Sequence, residues 1–578
     1  MKKGVEYEGI VTGYEFPNKG TVYIEGEKVR IKEALEGQKI RFTIGKLRNG
    51  RAEGNLKEVI ERSPLESREP ACPHFGKCGG CAYQTVPYQK QLELKADLVK
   101  KLLDRVIDYE YEFEGIAGSP SEWAYRNKME FSFGDECRGG ELSLGLHKKG
   151  SFYDILQITD CKITDQDFND IIKCVVETCR EYGISYSHKI THHGYLRHLL
   201  IRRAATTGEI FLNLITTTEW KDGIITETEF LGILKKRLME LDLGGSIVGI
   251  LHSYNDDPAD AVKAEKTDIL YGKEFFFEEI LGLYFKITTF SFFQTNSFGA
   301  EVLYRTVRDF ITDSDKSENE ASERAGNAGQ PSERDNLYKK KLNGVIYDLY
   351  TGTGTIAQVL SPVAKKVIGV EIVPEAVEAA KENAALNELD NCEFICGDVL
   401  KTLDDISDKP DIIILDPPRE GIHPKALTKI INYGVDRIIY ISCKPTSLVN
   451  DLAALHEGGY RVDKVKCVDM FPQTVHVETV VLLSQQKPDD HIEIEINLDE
   501  IDATSAETKA TYTQIQEWVQ EKYGFHVSNL NIAQVKQKHG IIERENYNKA
   551  KTEDSKQPGC PEEKVRAIED AMRHFQMI

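Results

Sequence analysis

The chain has no long apolar run. Nothing in its 578 residues approaches the ~18 consecutive apolar residues that a membrane-spanning helix needs. The opening Met1-Lys2-Lys3 leads into polar alternation, not into the apolar core of a signal peptide. Both absences disfavour a membrane or secreted protein, and a cytoplasmic location is expected. Positive charge is also short: 73 Lys and Arg stand against 94 Asp and Glu, a net charge of −21. The chain as a whole therefore carries no nucleic-acid signal, and any such contact must come from local basic clusters. Three clusters exist: Lys39, Arg41, Lys46, Arg48 and Arg51; Lys148-Lys149; and Arg197 to Arg203. Each fits either a nucleic-acid contact or a solvated face. Twelve cysteines in a reducing compartment argue against disulfides. Most, such as Cys174, Cys179, Cys392 and Cys396, are scattered and fit small core residues.

The length suggests roughly three to five domains. Residues 1–62 alternate apolar and polar in short runs, such as Thr21 to Glu25 and Lys39 to Ile44, with regular glycines. That pattern predicts a small β-barrel, either an OB-like nucleic-acid-binding module or a barrel with no such contact. Residues 63–285 read as a β-rich central domain. It opens with a cysteine-rich loop and a helical segment over about 88–116 that can pack on the domain that follows. Residues 286–487 form that next domain, with a Ser-, Glu- and Gly-rich insertion over about 312–340 expected to be disordered. From Gly344 apolar strands alternate with helices, which predicts a parallel sheet covered on both faces. Residues 488–578 open with an acidic stretch, Asp489 to Asp502. Two short helices follow, one with Ile515 and Val519 on one face and one over about Asn529 to Lys538. They fit a helix-turn-helix or, more plainly, a helical appendage.

Asp348-Leu-Tyr-Thr-Gly-Thr-Gly-Thr355 follows a strand and precedes a helix, and its glycines let a ligand approach the backbone. Glu371 ends the next strand about 20 residues later, where a carboxylate can accept ribose hydroxyls. Asp398 ends the third strand, within reach of an adenine amino group. The dinucleotide fingerprint is missing, because Ala357 stands where the last glycine of G-x-G-x-x-G would be. The three strands in order predict an S-adenosylmethionine (SAM) site instead.

Asp416-Pro-Pro418 caps another strand and turns its side chains toward the strand-end crevice. Amino-group methyltransferases follow a similar Asp-Pro-Pro with an aromatic, whereas here Arg419 follows. One strand later Cys443 ends the run Arg437 to Ser442, with Lys444-Pro445 behind it. A thiolate beside a methyl donor can add to carbon 6 of a pyrimidine and make carbon 5 nucleophilic. The adduct must then lose its carbon-5 proton to a base, for which Glu478, at the start of the last strand, is the candidate. Taken singly, Cys443 fits a buried strand cysteine and Glu478 an ordinary strand-start carboxylate. Pro445 and Asp416 shift Cys443 toward chemistry.

Cys72, Cys78 and Cys81 form C-x5-C-x2-C, with glycines that allow a tight wrap around one centre. Cys161 and Cys137 are both candidates for a fourth ligand, and spacing alone fits zinc or an iron–sulfur cluster.

Six stretches together resemble the RNA uracil-5-methyltransferase family, in its ribosomal-RNA branch with a TRAM barrel and an iron–sulfur cluster. They are Tyr125 to Gly134, Phe292 to Asn296, Asp348 to Gly354, Asp416 to Gly421, Ser442 to Pro445 and Phe471 to Glu478. The resemblance covers about residues 4–485. It implies a Rossmann-like α/β SAM methyltransferase domain carrying the barrel, a central iron–sulfur domain and the helical extension. It implies Cys443 as nucleophile and Glu478 as base. SAM contacts would come from Gln294, Tyr350, Thr355, Glu371 and Asp398, with Asp416 helping to hold cofactor and target base. It selects Cys161 as the fourth ligand and a [4Fe–4S] cluster of structural role. The implied substrate is an unpaired or flipped uridine in 23S ribosomal RNA, with transfer RNA the nearest rival. Cytosine-5 methylation in RNA usually involves two active-site cysteines, and one stands here. A reading from another class is a non-catalytic RNA-binding iron–sulfur protein. The chain is expected to act as a monomer. Two departures from the family pattern stand out. Thr351 replaces a common Cys, which is expected to matter little, and Lys444 replaces a common Asn in the loop around the nucleophile.

Overall fold

The computed structural model describes residues 1–48, 51–221, 224–259, 262–312, 342, 344–486, 512–539 and 561–575. The expected insertion, apart from Thr312, and the acidic stretch 489–502 lie outside the described residues. The chain divides into two compact units, Met1–Lys487 and Pro488–Ile578.

The first unit opens with six strands: β1 (Glu6–Ile10), β2 (Gly13–Glu15), β3 (Lys19–Ile24), β4 (Glu27–Lys32), β5 (Lys39–Arg48) and β6 (Arg51–Glu61). They form one sheet in the order β1-β5-β6-β4-β3-β2, antiparallel except for the β4–β6 pair. Period-two alternation puts Ile40, Phe42 and Ile44 of β5 on the buried face with Val22, Val29 and Ile31. The sheet curls on this core into a half-barrel. Gly9 of β1 comes so close to β3 that a Cβ there would lie 2.5 Å from Val22, a contact only glycine allows.

Helix α1 (Tyr88–Leu103) and strand β7 (Glu112–Ala117) come next. The helix expected over about 88–116 therefore ends early, and its last residues are a strand. The cause is pairing: Glu112 and Glu114 meet Lys464 and Lys466 across a parallel ladder, with Glu114 accepting from both lysines at 3.1 Å. The buried face of α1, including Val99 and Leu103, packs in the same core as Leu452 and Leu455.

A seven-stranded sheet follows. It comprises β8 (Lys128–Asp135), β9 (Leu142–His147), β10 (Ile155–Gln157), β11 (Leu196–Arg203), β12 (Glu209–Thr216), β13 (Ser246–Tyr254) and β14 (Lys266–Gly272), in the order β10-β9-β8-β11-β12-β13-β14. Helices α2 (Gln166–Glu181) and α3 (Glu227–Met239) cover it, burying Ile171, Val175, Phe230 and Leu234 on Phe131, Ile201 and Leu212. A two-stranded ribbon, β15 (Phe275–Ile280) with β16 (Leu283–Thr288), leads into α4 (Ser297–Thr312).

The remaining strands are β17 (Val345–Leu349), β18 (Lys366–Glu371), β19 (Cys392–Cys396), β20 (Ile412–Leu415), β21 (Arg437–Ser442), β22 (Tyr460–Val468) and β23 (Glu478–Gln485). Between them lie α5 (Thr355–Leu360), α6 (Pro374–Leu386), α7 (Val399–Thr402), α8 (Pro424–Tyr433) and α9 (Pro445–Glu457). With β7 they form an eight-stranded sheet, β19-β18-β17-β20-β21-β23-β22-β7, whose first five strands are parallel. Both faces are buried, as the near-continuous apolar strands require.

The second unit holds α10 (Tyr512–Tyr523), α11 (Asn529–Lys538) and α12 (Glu562–His574). Ile515, Val519, Ile532 and Val535 meet Ala567, Ile568, Ala571 and Met572 in a separate core. The sequence reading found the first two helices and missed the third, which completes that core. No helix among the described residues is long and apolar enough to cross a membrane.

Candidate active site

Strand order reverses between β17 and β20, and such a switch point opens a crevice beyond the carboxyl ends of the strands. Leu349 pairs with Leu415, so Tyr350 and Asp416 are the first residues past the sheet on either side of that crevice. Strand β23 runs antiparallel to β21, with Ser442 opposite Thr479. The next step along that ladder sets Cys443 against Glu478 at the same sheet end. Pairing alone thus brings together residues far apart in sequence.

On the β17 side, the buried Asp348 carboxylate accepts from Thr351 Oγ1 at 2.5 Å and from the Ala357 amide at 3.0 Å. Burial pushes its carboxyl up to about 7. Thr351, expected to matter little, thus holds the carboxylate that braces the loop. Gly354 has a left-handed backbone (φ +75°), and a Cβ there would lie 2.7 Å from Phe394, so the turn into α5 admits no side chain. Thr355 is the first residue of α5 and is buried. Glu371 accepts from the Gly352 amide at 3.1 Å and the Val373 amide at 2.9 Å, which fixes it beside the glycine loop. Asp398 caps α7 through the Leu400 amide at 2.9 Å. Tyr350 lies in electrostatic contact with Asp398, and burial is the main cause that raises its phenol to about 12. The Gln294 carbonyl accepts from Asn127 Nδ2 at 3.0 Å, and its side chain hydrogen-bonds Tyr304.

On the other side, Cys443, Glu478, Asp416 and Arg419 form one electrostatic group. Burial pushes the Cys443 thiol up to about 11, with Glu478 and Asp416 adding to the rise and Arg419 opposing it. Glu478 is buried and rises to about 8, chiefly through burial and then through Asp416. Asp416 remains partly open as a residue, yet enclosure of its carboxyl and the nearby Asp348 bring it to about 7. The loop after Cys443, with Lys444 in place of Asn, is held by its neighbours. Ser447 Oγ donates to the Arg419 carbonyl at 2.8 Å, and Asp451 of α9 accepts from the Ile422 amide at 2.9 Å and the Tyr440 hydroxyl at 2.5 Å.

Two contributors were not found in the sequence. Tyr304 on α4 is buried against Asp416, Asp348 and Glu478, which hold its phenol far above the ordinary range after burial itself. Its spacing with Leu303, Val307 and Ile311 is that of a helix core, to which it also belongs. Arg419 had been read only as a missing aromatic.

The cysteine loop lies beside the central sheet. Burial raises the Cys78 thiol and brings Cys81 to about 12, and Cys161 and Cys72 add to both shifts. Burial also raises Cys161, and Cys72 contributes. Cys137 is exposed and acts on none of these thiols. Among the described residues no three His, Cys, Asp or Glu side chains close around a common metal position. The donor chemistry still fits a cationic centre, since Cys78, Cys81 and Cys161 are raised by burial and neighbouring thiols, and positive charge would favour their thiolates. The loop is also tied to the strand that carries Glu478. The Ala82 and Tyr83 amides donate to the Gln473 carbonyl at 2.7 and 3.0 Å, and the Gln473 amide donates to Gln91 Oε1 at 3.0 Å.

Residues 337–486 match the family described as tRNA (Uracil-5-)-methyltransferase. An uncharacterized RNA methyltransferase of Clostridium tetani is 45% identical over 486 residues, 84% of this chain and 99% of the relative. Another, from Caldanaerobacter subterraneus, is 45% identical over 485 residues, 84% of this chain and all of its own length (100%). These aligned lengths are close to the first compact unit, Met1–Lys487. Among solved structures, the Pyrococcus abyssi tRNA (uracil-54, C5)-methyltransferase with S-adenosyl-L-homocysteine shares the fold, at TM-score 0.60 and 24% identity over 82% of this chain and 100% of that one. Identity of this level across whole relatives, with the profile falling on the strands that carry the crevice, places the chain in the RNA (uracil-5-)-methyltransferase family.

Proposed function

We propose that the protein transfers a methyl group from SAM to carbon 5 of a uridine in 23S ribosomal RNA. The observation that carries the chemistry is the register that sets Cys443 against Glu478 beside the switch-point crevice. Bound in that crevice, SAM supplies an electrophilic methyl group and a positive charge. Gln294, Tyr350, Thr355, Glu371 and Asp398 line the side that would hold it, and Asp416 stands between cofactor and base. Near such a charge Asp416, Glu478 and Cys443 ionise more readily than their raised values allow in the free protein. The Cys443 sulfur forms a bond to carbon 6, its proton passing to solvent, and the ring electrons move toward carbon 5. Carbon 5 would then displace the methyl group from the SAM sulfonium, whose sulfur–methyl bond breaks to leave S-adenosylhomocysteine. Glu478 removes the carbon-5 proton, the carbon–sulfur bond breaks, and the ring double bond re-forms. A carboxyl near 8 is a stronger base than an ordinary glutamate, which suits that step.

In the same reading the N-terminal half-barrel is a TRAM module that contacts RNA. Cys72, Cys78, Cys81 and Cys161 hold a [4Fe–4S] cluster, a structural centre with no redox step at the crevice. Transfer RNA is the second reading, favoured by the description of the matching family and by the substrate of the archaeal neighbour. Mapping 5-methyluridine in the ribosomal and transfer RNA of a deletion strain separates the two. Loss of a site in 23S ribosomal RNA is the expected result. Loss confined to transfer RNA would establish the second reading, and no loss in either would overturn both.

A further inference from the structure

Outside the crevice, one exposed patch combines rings and positive charge. The turn between β9 and β10 carries Phe152 and Tyr153, which are 59% and 55% exposed. Their rings meet edge to face at 5.3 Å. The His147 ring stacks on Phe152 at 5.9 Å, and Lys189 Nζ lies 4.7 Å from the centre of the same ring. The turn is braced, not loose. The Asp154 amide donates to Ser151 Oγ at 3.1 Å, and the Lys148 amide donates to the Asp154 carbonyl at 2.9 Å. It is also fastened to the cysteine loop, where Lys149 donates its amide to the Lys77 carbonyl at 2.7 Å and Lys148 bridges Cys78.

Positive charge continues away from the rings. Lys149 reaches Glu33 of the N-terminal half-barrel at 2.5 Å. The half-barrel itself carries a cleft lined by Lys19, Arg30, Lys32, Lys46 and Glu53, where Arg30 pairs with Glu15 and Lys46 with Glu53. In a chain of net charge −21, two exposed rings with Lys189 over one face and the exposed Lys148 on the same turn stand apart. Aromatic faces interleaved with lysines suit unstacked bases and the phosphates between them.

We infer that Phe152 and Tyr153 form a platform on which bases of an unpaired RNA segment stack, apart from the uridine being methylated, with Lys148 and Lys189 beside the rings meeting its phosphates. This rests on the reading of the protein as an RNA-modifying enzyme. The test uses the full-length protein and the anisotropy of a fluorescein-labelled oligouridylate, with a blunt RNA duplex as comparison. Replacing both rings (Phe152→Ala with Tyr153→Ala) is expected to weaken oligouridylate binding at least about tenfold. Phe152→Trp should keep the affinity. Phe152→Leu, which retains apolar bulk without an aromatic face, should lose it. Tm and SAM affinity should stay unchanged in all three. An unaltered Kd in the double alanine variant overturns the platform. So does a change of oligomeric state at unaltered Kd, which would assign the rings to self-association. If the wild-type protein binds neither RNA, the RNA reading itself fails and the platform with it.

Discussion

Cys443 sits at about 11 in the free protein, so near neutral pH it is a thiol. The rise comes from burial first and the carboxylates second, and both favour the neutral form. Iodoacetamide should therefore modify Cys443 slowly at pH 7, with a rate that climbs toward pH 11. SAM, as a cation, should move that midpoint down. A midpoint near 8.5 in the free protein would contradict the account. In the proposed mechanism Glu478 has a different task, needed only after the adduct exists. Glu478→Gln should lower turnover by about 10²–10⁴-fold, as for loss of a general base, while leaving adduct formation intact, and gel shift in denaturant would separate the two. Both residues were legible in the sequence because each ends or begins an apolar run beside strand-breaking neighbours. Tyr304 was not, because a tyrosine at helical core spacing looks the same whether or not carboxylates surround its hydroxyl.

At the scale of elements, the carboxyl-end crevice follows from apolar strands separated by helices, and that much was readable. What was not readable is long-range pairing. Strand β7 lies far from β22 in sequence, and it becomes an edge strand by pairing along β22, with Glu114 set against Lys464 and Lys466. The same holds for α1, whose Lys95 is buried and donates to Asp469 Oδ1 at 2.8 Å and to the Phe471 carbonyl at 3.1 Å. A lysine in a helix reads as solvated until its partner is known. Lys95→Met should cost about 3–5 kcal/mol in urea unfolding, because it leaves the Asp469 carboxylate buried without its cation. A loss below about 1 kcal/mol would contradict a buried ion pair that holds α1 in place. Asp469 and Gln473 both precede Glu478, so α1 and the cysteine loop hold the strand entrance from one side.

For the whole molecule, the two compact units have separate cores, and no core residue of the helical unit belongs to a core of the first. Calorimetry of the full chain should therefore show two transitions, and truncation after Lys487 should remove one and leave the other within a degree or so. A single cooperative transition would show that the units fold together. All of this serves one chemical event, and the intact complex reports on it directly. Incubated with SAM and RNA carrying 5-fluorouridine at the target, the protein should form an adduct that survives denaturation, because fluorine replaces the proton Glu478 must remove. Mass spectrometry should place the nucleotide on Cys443, and Cys443→Ser should abolish it. Full methyl transfer with no adduct, or an adduct on another residue, would contradict the covalent mechanism.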